Sequence, residues 1–235
     1  MPRLRQVTRA ELERKGDELA LFFYDRLFGE DADPTEGRPT ATGSPGTWWT
    51  TFALDRAIFK HCVRGFQVYR GVSLDPLLRE LGQTRAGWAR GSQFVFSQHC
   101  KQMRALGVPE DKIRAVAHWE VSDLFDEVER AVLAYADALV LNGGRVHDEV
   151  FATLQKHLPD EQILELTYVT CLYEMHATMA RALRVEFDDR DDPVVEVPAP
   201  EGYGARDIAD DIAGGATSGT AGNAAGGAAG GAAGG

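Results

Sequence analysis

Apolar residues along this chain recur mostly at helical spacing, and the gaps between them hold the residue types that start and stop helices. Between residues 10 and 28, Leu12, Leu19, Leu21, Phe22, Leu27 and Phe28 stand in a charged background, which predicts one outer helix lying on the body. Residues 29 to 46 are loaded with Asp, Pro, Gly and Thr and predict turns, after which Trp48-Trp49 opens a second apolar segment running to about Tyr69. Asp75-Pro76 supplies an N-cap and a proline at the first helical position, so a helix is predicted from there to about Arg90. Ser92 caps the next, Gln93 to Leu106, with Gly107 where helices often end in the left-handed conformation. Val108-Pro109-Glu110-Asp111 starts another by the same chemistry. Further helices are predicted over 124–141, closed by Asn142-Gly143-Gly144, over 147–157, and from about Asp160 to Val185, where Ile163, Leu166, Val169, Leu172, Ala177 and Ala180 keep the 3.6 period. No segment alternates cleanly enough for a strand, so the fold class is all-α.

Two of these helices share an ending. Arg104-Ala105-Leu106-Gly107-Val108 begins five residues after His99, and Arg181-Ala182-Leu183-Arg184-Val185 begins five residues after His176. The stretches are entered through Leu78-Arg79-Glu80-Leu81 and Ile163-Leu164-Glu165-Leu166. This reads as a decayed internal helical repeat, and it predicts two related halves with a polar site where they meet.

Composition narrows the classes. The 235 residues are 44% hydrophobic and 26% charged, enough for a real core. Between residues 186 and 211, ten acids and two arginines carry −8 of the formal −11, leaving a nearly neutral body. Without a basic face, nucleic-acid binding is not expected. No stretch approaches a membrane span and the first residues lack the apolar region of a secretion signal, so a soluble, cytoplasmic protein is expected. Cys62, Cys100 and Cys171 stand alone, with no Cys-x-x-Cys, which fits a reducing compartment. Residues 214–235 are Gly/Ala-rich with a repeated Ala-Ala-Gly-Gly and predict a disordered tail.

Candidate chemistry concentrates between Glu80 and His99. Glu80 shares a helix face with Leu77, Thr84 and Trp88, and Ser92, Val95, Phe96 and His99 fall at i, i+3, i+4 and i+7 of the next helix. Each has a plain structural alternative: Glu80 as a solvated helix residue, His99 as a satisfied core histidine. The surrounding Trp88, Arg90, Gln93, Phe94, Phe96 and Gln98 are richer in polar and aromatic groups than a core helix requires, which favours a site. His176, counterpart of His99 in the repeat, lies on one side of its helix with Tyr173 and Ala177. Cys100 turns about 100° away from His99 and reads as a buried, inert thiol. No His/Cys/Glu set stands at metal-ligand spacing, and neither a metal nor an organic cofactor is expected.

Leu78-Arg79-Glu80-Leu81, Gly91-Ser92-Gln93-Phe94-Val95-Phe96-Ser97-Gln98-His99 and Arg104-Ala105-Leu106-Gly107-Val108-Pro109-Glu110 together resemble the carboxymuconolactone decarboxylase family, which includes the alkylhydroperoxidase D-like proteins. The resemblance covers about residues 50–187 and implies an all-α, alkylhydroperoxidase D-like bundle assembled as a homo-oligomer, trimer or hexamer. It divides the chain into an N-terminal helix and turn-rich arm (1–49), the family-like domain (50–187), an acidic extended segment (188–213) and the tail (214–235). In the redox branch the pattern is a glutamate, then Cys-x-x-Cys, then a histidine. Glutamate and histidine fall on Glu80 and His99, but the two cysteine positions fall on Ser92 and Val95, which cannot form a disulfide. In the decarboxylase branch the phrase Glu-Trp-x-x-His becomes Val95-Phe96-Ser97-Gln98-His99.

The favoured reading is a cofactor-independent acid/base enzyme acting on a small, aromatic-derived carboxylic acid or lactone. Glu80, His99 and Ser92 are its catalytic candidates; Arg85, Trp88, Arg90, Phe96 and His176 are its substrate-binding candidates. The alternatives are a peroxidase acting through a lone cysteine such as Cys100, and a non-catalytic, ligand-binding oligomeric scaffold.

Overall fold

The computed structural model describes residues 1–40, 43–189 and 194–201; the Gly/Ala tail and most of the acidic segment lie outside the described residues. Ten α-helices follow in order, with no strand among the described residues: α1 (Arg9–Lys15), α2 (Glu18–Phe28), α3 (Thr47–Phe52), α4 (Arg56–Phe66), α5 (Pro76–Ala89), α6 (Gln93–Ala105), α7 (Glu110–Ala115), α8 (Glu127–Val140), α9 (Asp148–His157) and α10 (Asp160–Leu183). Short 3₁₀ turns cover Gln67–Arg70 and Val116–Val121.

Cap chemistry fixes most boundaries. Asp75 accepts from the Leu77 and Leu78 amides at the start of α5, Ser92 accepts from Val95 N at the start of α6, and Asp126 with Glu129 forms a reciprocal capping box on α8. The single helix expected over 10–28 is two. Gly16 ends α1 at φ 65° and Asp17 at once caps α2 by accepting from Ala20 N, so the chain turns inside an unbroken apolar pattern. Asp55 likewise splits the segment expected from Trp48 to Tyr69, capping α4 behind α3.

The repeated Arg-Ala-Leu-x-Val string has a structural meaning. Val108 N donates to the Met103 carbonyl and Val185 N to the Ala180 carbonyl, each across a residue of positive φ, Gly107 at 80° and Arg184 at 53°. Both helices thus end in the same six-to-one closure with a valine folded back beyond the turn.

Two hydrophobic cores lie side by side. One joins Leu81 of α5, Phe96 and Met103 of α6, Val132 and Leu133 of α8, Leu154 of α9 and the first half of α10. The other joins Leu12, Phe23 and Tyr24 with Trp48, Trp49 and Phe52, Phe59 of α4 and the last turn of α10. The N-terminal helices are therefore not an outer layer; they supply much of the second core. α10 runs through both.

α5 and α6 meet most closely at Gly87. A Cβ there would stand 2.7 Å from the Phe96 amide nitrogen and 2.8 Å from a Val95 methyl, so only glycine permits this approach. Beyond α10 two buried carboxylates stitch the chain back: Glu186 accepts from the Gly46 and Trp48 amides at 3.1 and 2.7 Å, and Asp188 accepts from the Ser92 hydroxyl at 2.5 Å and the Phe94 amide at 3.2 Å. Farther on, Glu196 pairs with Arg104, and Val197 N donates to Ser97 Oγ at 2.7 Å.

Two outcomes follow for stability. Gly87→Ala should destabilise the fold by about 1–3 kcal/mol, read as a lowered urea midpoint, because the clash is with backbone that cannot rotate away. Burial raises the Glu186 carboxyl from 4.5 to about 7, against the pull of the amides it accepts from. The folded state therefore holds a proton that the unfolded chain has lost between those values, so stability falls as pH rises from about 4.5 to 7, by on the order of 3 kcal/mol. Urea midpoints measured across that window should lose this slope in Glu186→Gln.

Candidate active site

Where the two cores adjoin, α3, α4, α5, α6 and α10 enclose a cavity of about 90 Å³. α6 presents Val95, Gln98, His99 and Gln102 to it, an i, i+3, i+4, i+7 stripe. α5 contributes Arg79 and Glu80, α10 contributes Tyr173 and His176, and aromatic walls come from Trp48, Trp49, Phe66 and Tyr69.

One buried polar contact in it joins α5 to α6. His99 Nδ1 stands 2.6 Å from Glu80 Oε2, with both side chains about 95% buried. Arg79 Nη2 donates to the other Glu80 oxygen at 3.2 Å, and its guanidinium covers the Tyr69 ring at 4.8 Å. Glu80 is thereby held between a cation and an imidazole, which offsets the penalty of burying its charge. With Nδ1 given to the carboxylate, proton exchange with a bound molecule falls to His99 Nε2. The Tyr173 ring meets His99 edge-on, with centroids 4.2 Å apart, and fixes the plane of the imidazole.

Opposite this pair sits His176, 3% exposed and ringed by Phe66, Trp48 and Tyr173 at centroid distances of 5.0, 5.6 and 5.8 Å. Burial lowers its pKa from 6.5 to about 4, with the nearby His99 adding to the shift, so the ring is neutral at physiological pH. Neither of its nitrogens, nor either amide atom of Gln98, has a hydrogen-bond partner among the described residues. Burial also pushes the Tyr69 phenol well up; that hydroxyl takes a hydrogen bond from Gln83 and is bonded to Tyr173.

Of the residues singled out from sequence, the structure brings Glu80, His99 and His176 to one cavity and sends the others elsewhere. Ser92 is not in the lining: its hydroxyl caps α6 and is bonded to Asp188, so its hydrogen bonds serve the helix end. Arg85 is buried in a structural tie, donating to Asp137 at 2.6 and 2.9 Å and to the Val116 and Ala117 carbonyls, with its guanidinium over Trp88. Trp88 and Phe96 pack with the first core, and Arg90 pairs with Glu174. Residues that sequence reading passed over include Arg79, Gln102 and Tyr69; the α6 stripe through Val95 and His99 carried the signal for the glutamines. Cys62 and Cys100 are buried with their thiols pushed up by burial, Cys171 is exposed, and none of the three lines the cavity. Among the described residues no three His, Cys, Asp or Glu side chains gather as a metal site, and no helix is long and apolar enough to cross a membrane.

Known proteins resemble this chain in sequence and fold. The model of the carboxymuconolactone decarboxylase family matches residues 58–138, which hold both Glu80 and His99. The uncharacterized protein YnjA of Escherichia coli (strain K12) is 29% identical over 147 residues, spanning 60% of this chain and 78% of YnjA. The uncharacterized protein YdfG of Bacillus subtilis (strain 168) is 26% identical over 98 residues, 41% of this chain and 67% of YdfG. Among solved structures, ATU0492 of Agrobacterium tumefaciens, a protein of unknown function with a suggested AhpD role in antioxidant defence, superposes with a TM-score of 0.53 at 26% identity over 61% of this chain and 95% of its own. The debrominase Bmp8 in complex with 2,3,4-tribromopyrrole gives a TM-score of 0.59 at 16% identity over 78% of this chain and 90% of its own, a likeness of fold. Residues 58–138 are thus similar to the carboxymuconolactone decarboxylase family, and the described helices have the AhpD-like fold.

Proposed function

We propose that the protein is an acid/base enzyme of the decarboxylase type that moves a proton at a carbon conjugated to a carbonyl, in a small, aromatic-derived carboxylic acid or lactone, with no cofactor. The observation that carries this reading is the buried Glu80–His99 hydrogen bond opening on a cavity that no thiol lines. A dithiol peroxidase needs an attacking and a resolving sulfur, and the two family cysteine positions here hold a helix cap and an apolar wall. In the proposed step the bond from carbon to carboxylate breaks, carbon dioxide leaves, and the electron pair passes into the conjugated carbonyl as an enolate. His99 Nε2 then delivers its proton to carbon, and the ring recovers a proton from solvent. Glu80 is a positioning residue: it holds the tautomer and orientation of His99 and stabilises its cationic form. The aromatic walls keep water from competing. A halogenated pyrrole bound by a neighbour of the same fold is in keeping with a small planar guest.

Muconolactones and small unsaturated keto acids, followed by proton NMR in deuterated water, test this. Wild type should release carbon dioxide from, or exchange deuterium into, at least one of them. His99→Ala should lower kcat by about 10²–10⁴. Glu80→Gln should lower kcat with KM held, which a merely structural defect would not do. Exchange undiminished in His99→Ala, or none on any compound with wild type, overturns the reading.

The same assay separates the sulfur alternative. The triple variant Cys62→Ser, Cys100→Ser, Cys171→Ser, checked for folding by circular dichroism, should keep wild-type turnover and leave no peroxide reduction to lose.

A further inference from the structure

The acid/base pair leaves two polar residues of the cavity lining unexplained. Gln98 and His176 are 9% and 3% exposed, both line the cavity, and four of their polar atoms stand without a partner among the described residues: Gln98 Oε1 and Nε2, His176 Nδ1 and Nε2. A buried polar atom left unbonded costs about 1–3 kcal/mol, and folded proteins pair nearly all of them. Both residues line the hollow, so a small turn of the amide or the ring would bring these atoms onto a molecule held there.

We propose that Gln98 and His176 form a recognition pole for an uncharged group that carries a hydrogen-bond donor and an acceptor side by side, as in a lactam, a carboxamide or a hydroxylated heteroaromatic ring. An amide and an imidazole each offer one donor and one acceptor, so the complementary group must offer both as well. The walls agree: Phe66, Trp48 and Tyr173 line the cavity and stand around the His176 ring at 5.0 to 5.8 Å between centroids, aromatic surface that suits a planar guest. Charge agrees too. The arginine that lines the cavity, Arg79, is matched by Glu80 at 3.2 Å, Arg85 is bonded to Asp137, Arg90 is bonded to Glu174, and burial keeps the His176 ring neutral. A carboxylate driven against this pole would lose its water and meet no unmatched positive charge, an expensive arrangement.

This deepens the acid/base reading and rests on it for the reaction: the substrate enters with a neutral polar group at Gln98 and His176, and any carboxylate stays away from that pole. Binding is measured separately from turnover. The probes are 2-pyridone, a planar lactam, and benzoate, a planar anion of similar size, titrated into full-length protein carrying ¹⁵N-labelled histidine at pH 7.5. The expected result is that 2-pyridone binds at least tenfold tighter than benzoate and shifts the His176 ring nitrogen signals. His176→Phe keeps the aromatic volume and Gln98→Leu keeps the side-chain length; each should weaken 2-pyridone at least tenfold. Benzoate binding as tightly as 2-pyridone, or 2-pyridone binding unchanged in both variants, overturns the proposal. Selective 2-pyridone binding without proton exchange on any acid or lactone supports this pole and sinks the acid/base reading, whereas exchange with benzoate preferred does the reverse.

Discussion

Backbone contact between α5 and α6 at Gly87 is the constraint from which the site follows. Two helices carrying ordinary side chains at their crossing stand 8–10 Å apart; with glycine at the crossing the Val95–Phe96 backbone comes down onto α5. From there Glu80, two turns back along α5, and His99, one turn on along α6, reach one another with a single hydrogen bond of 2.6 Å and no intervening water. A wider crossing would leave the His99 ring without its carboxylate and Glu80 with Arg79 as its partner.

The cavity exists because there are two cores rather than one. α10 belongs to both, and its face between them carries Tyr173 and His176. Trp48 and Trp49 close the opposite wall, held by the Glu186 carboxylate on the Gly46 and Trp48 amides. Asp188 does the same for the first turn of α6. A short acidic run after α10 therefore anchors the start of two helices whose side chains line the cavity. Carboxylates suit that work, because the free amides of a helix start carry partial positive charge.

Much of this was legible in the sequence because helix ends are written in local chemistry. Asp75-Pro76, Ser92 with Gly107, and Asn142-Gly143-Gly144 mark their boundaries through contacts only a few residues long. The Gly16-Asp17 break was equally local but sat inside an apolar pattern that continued across it, and the period outweighed the punctuation. Glu80 and His99 were readable as candidates from spacing and family resemblance, while their meeting depended on the crossing of α5 and α6, which spacing does not state. Ser92, Arg85 and Arg90 illustrate the limit from the other side. Their residue types suit catalysis or anion binding, yet Asp188, Asp137 and Glu174, 96, 52 and 84 positions away, use up their hydrogen bonds. No local pattern announces a partner so distant in the chain.

The charge balance of the cavity follows from those distant partners. With Arg85 and Arg90 drawn off to other carboxylates, the cavity keeps Arg79 and Glu80, whose charges offset one another. Desolvation holds His176 neutral down to about pH 4. Glu80 stands between the His99 ring at 2.6 Å and the Arg79 guanidinium at 3.2 Å. The two histidines of the repeated segments therefore have opposite characters. One has a carboxylate partner; the other is ringed by aromatic side chains and is kept neutral by burial. That asymmetry is why the two proposed roles, proton transfer and recognition of a neutral group, fall on different histidines.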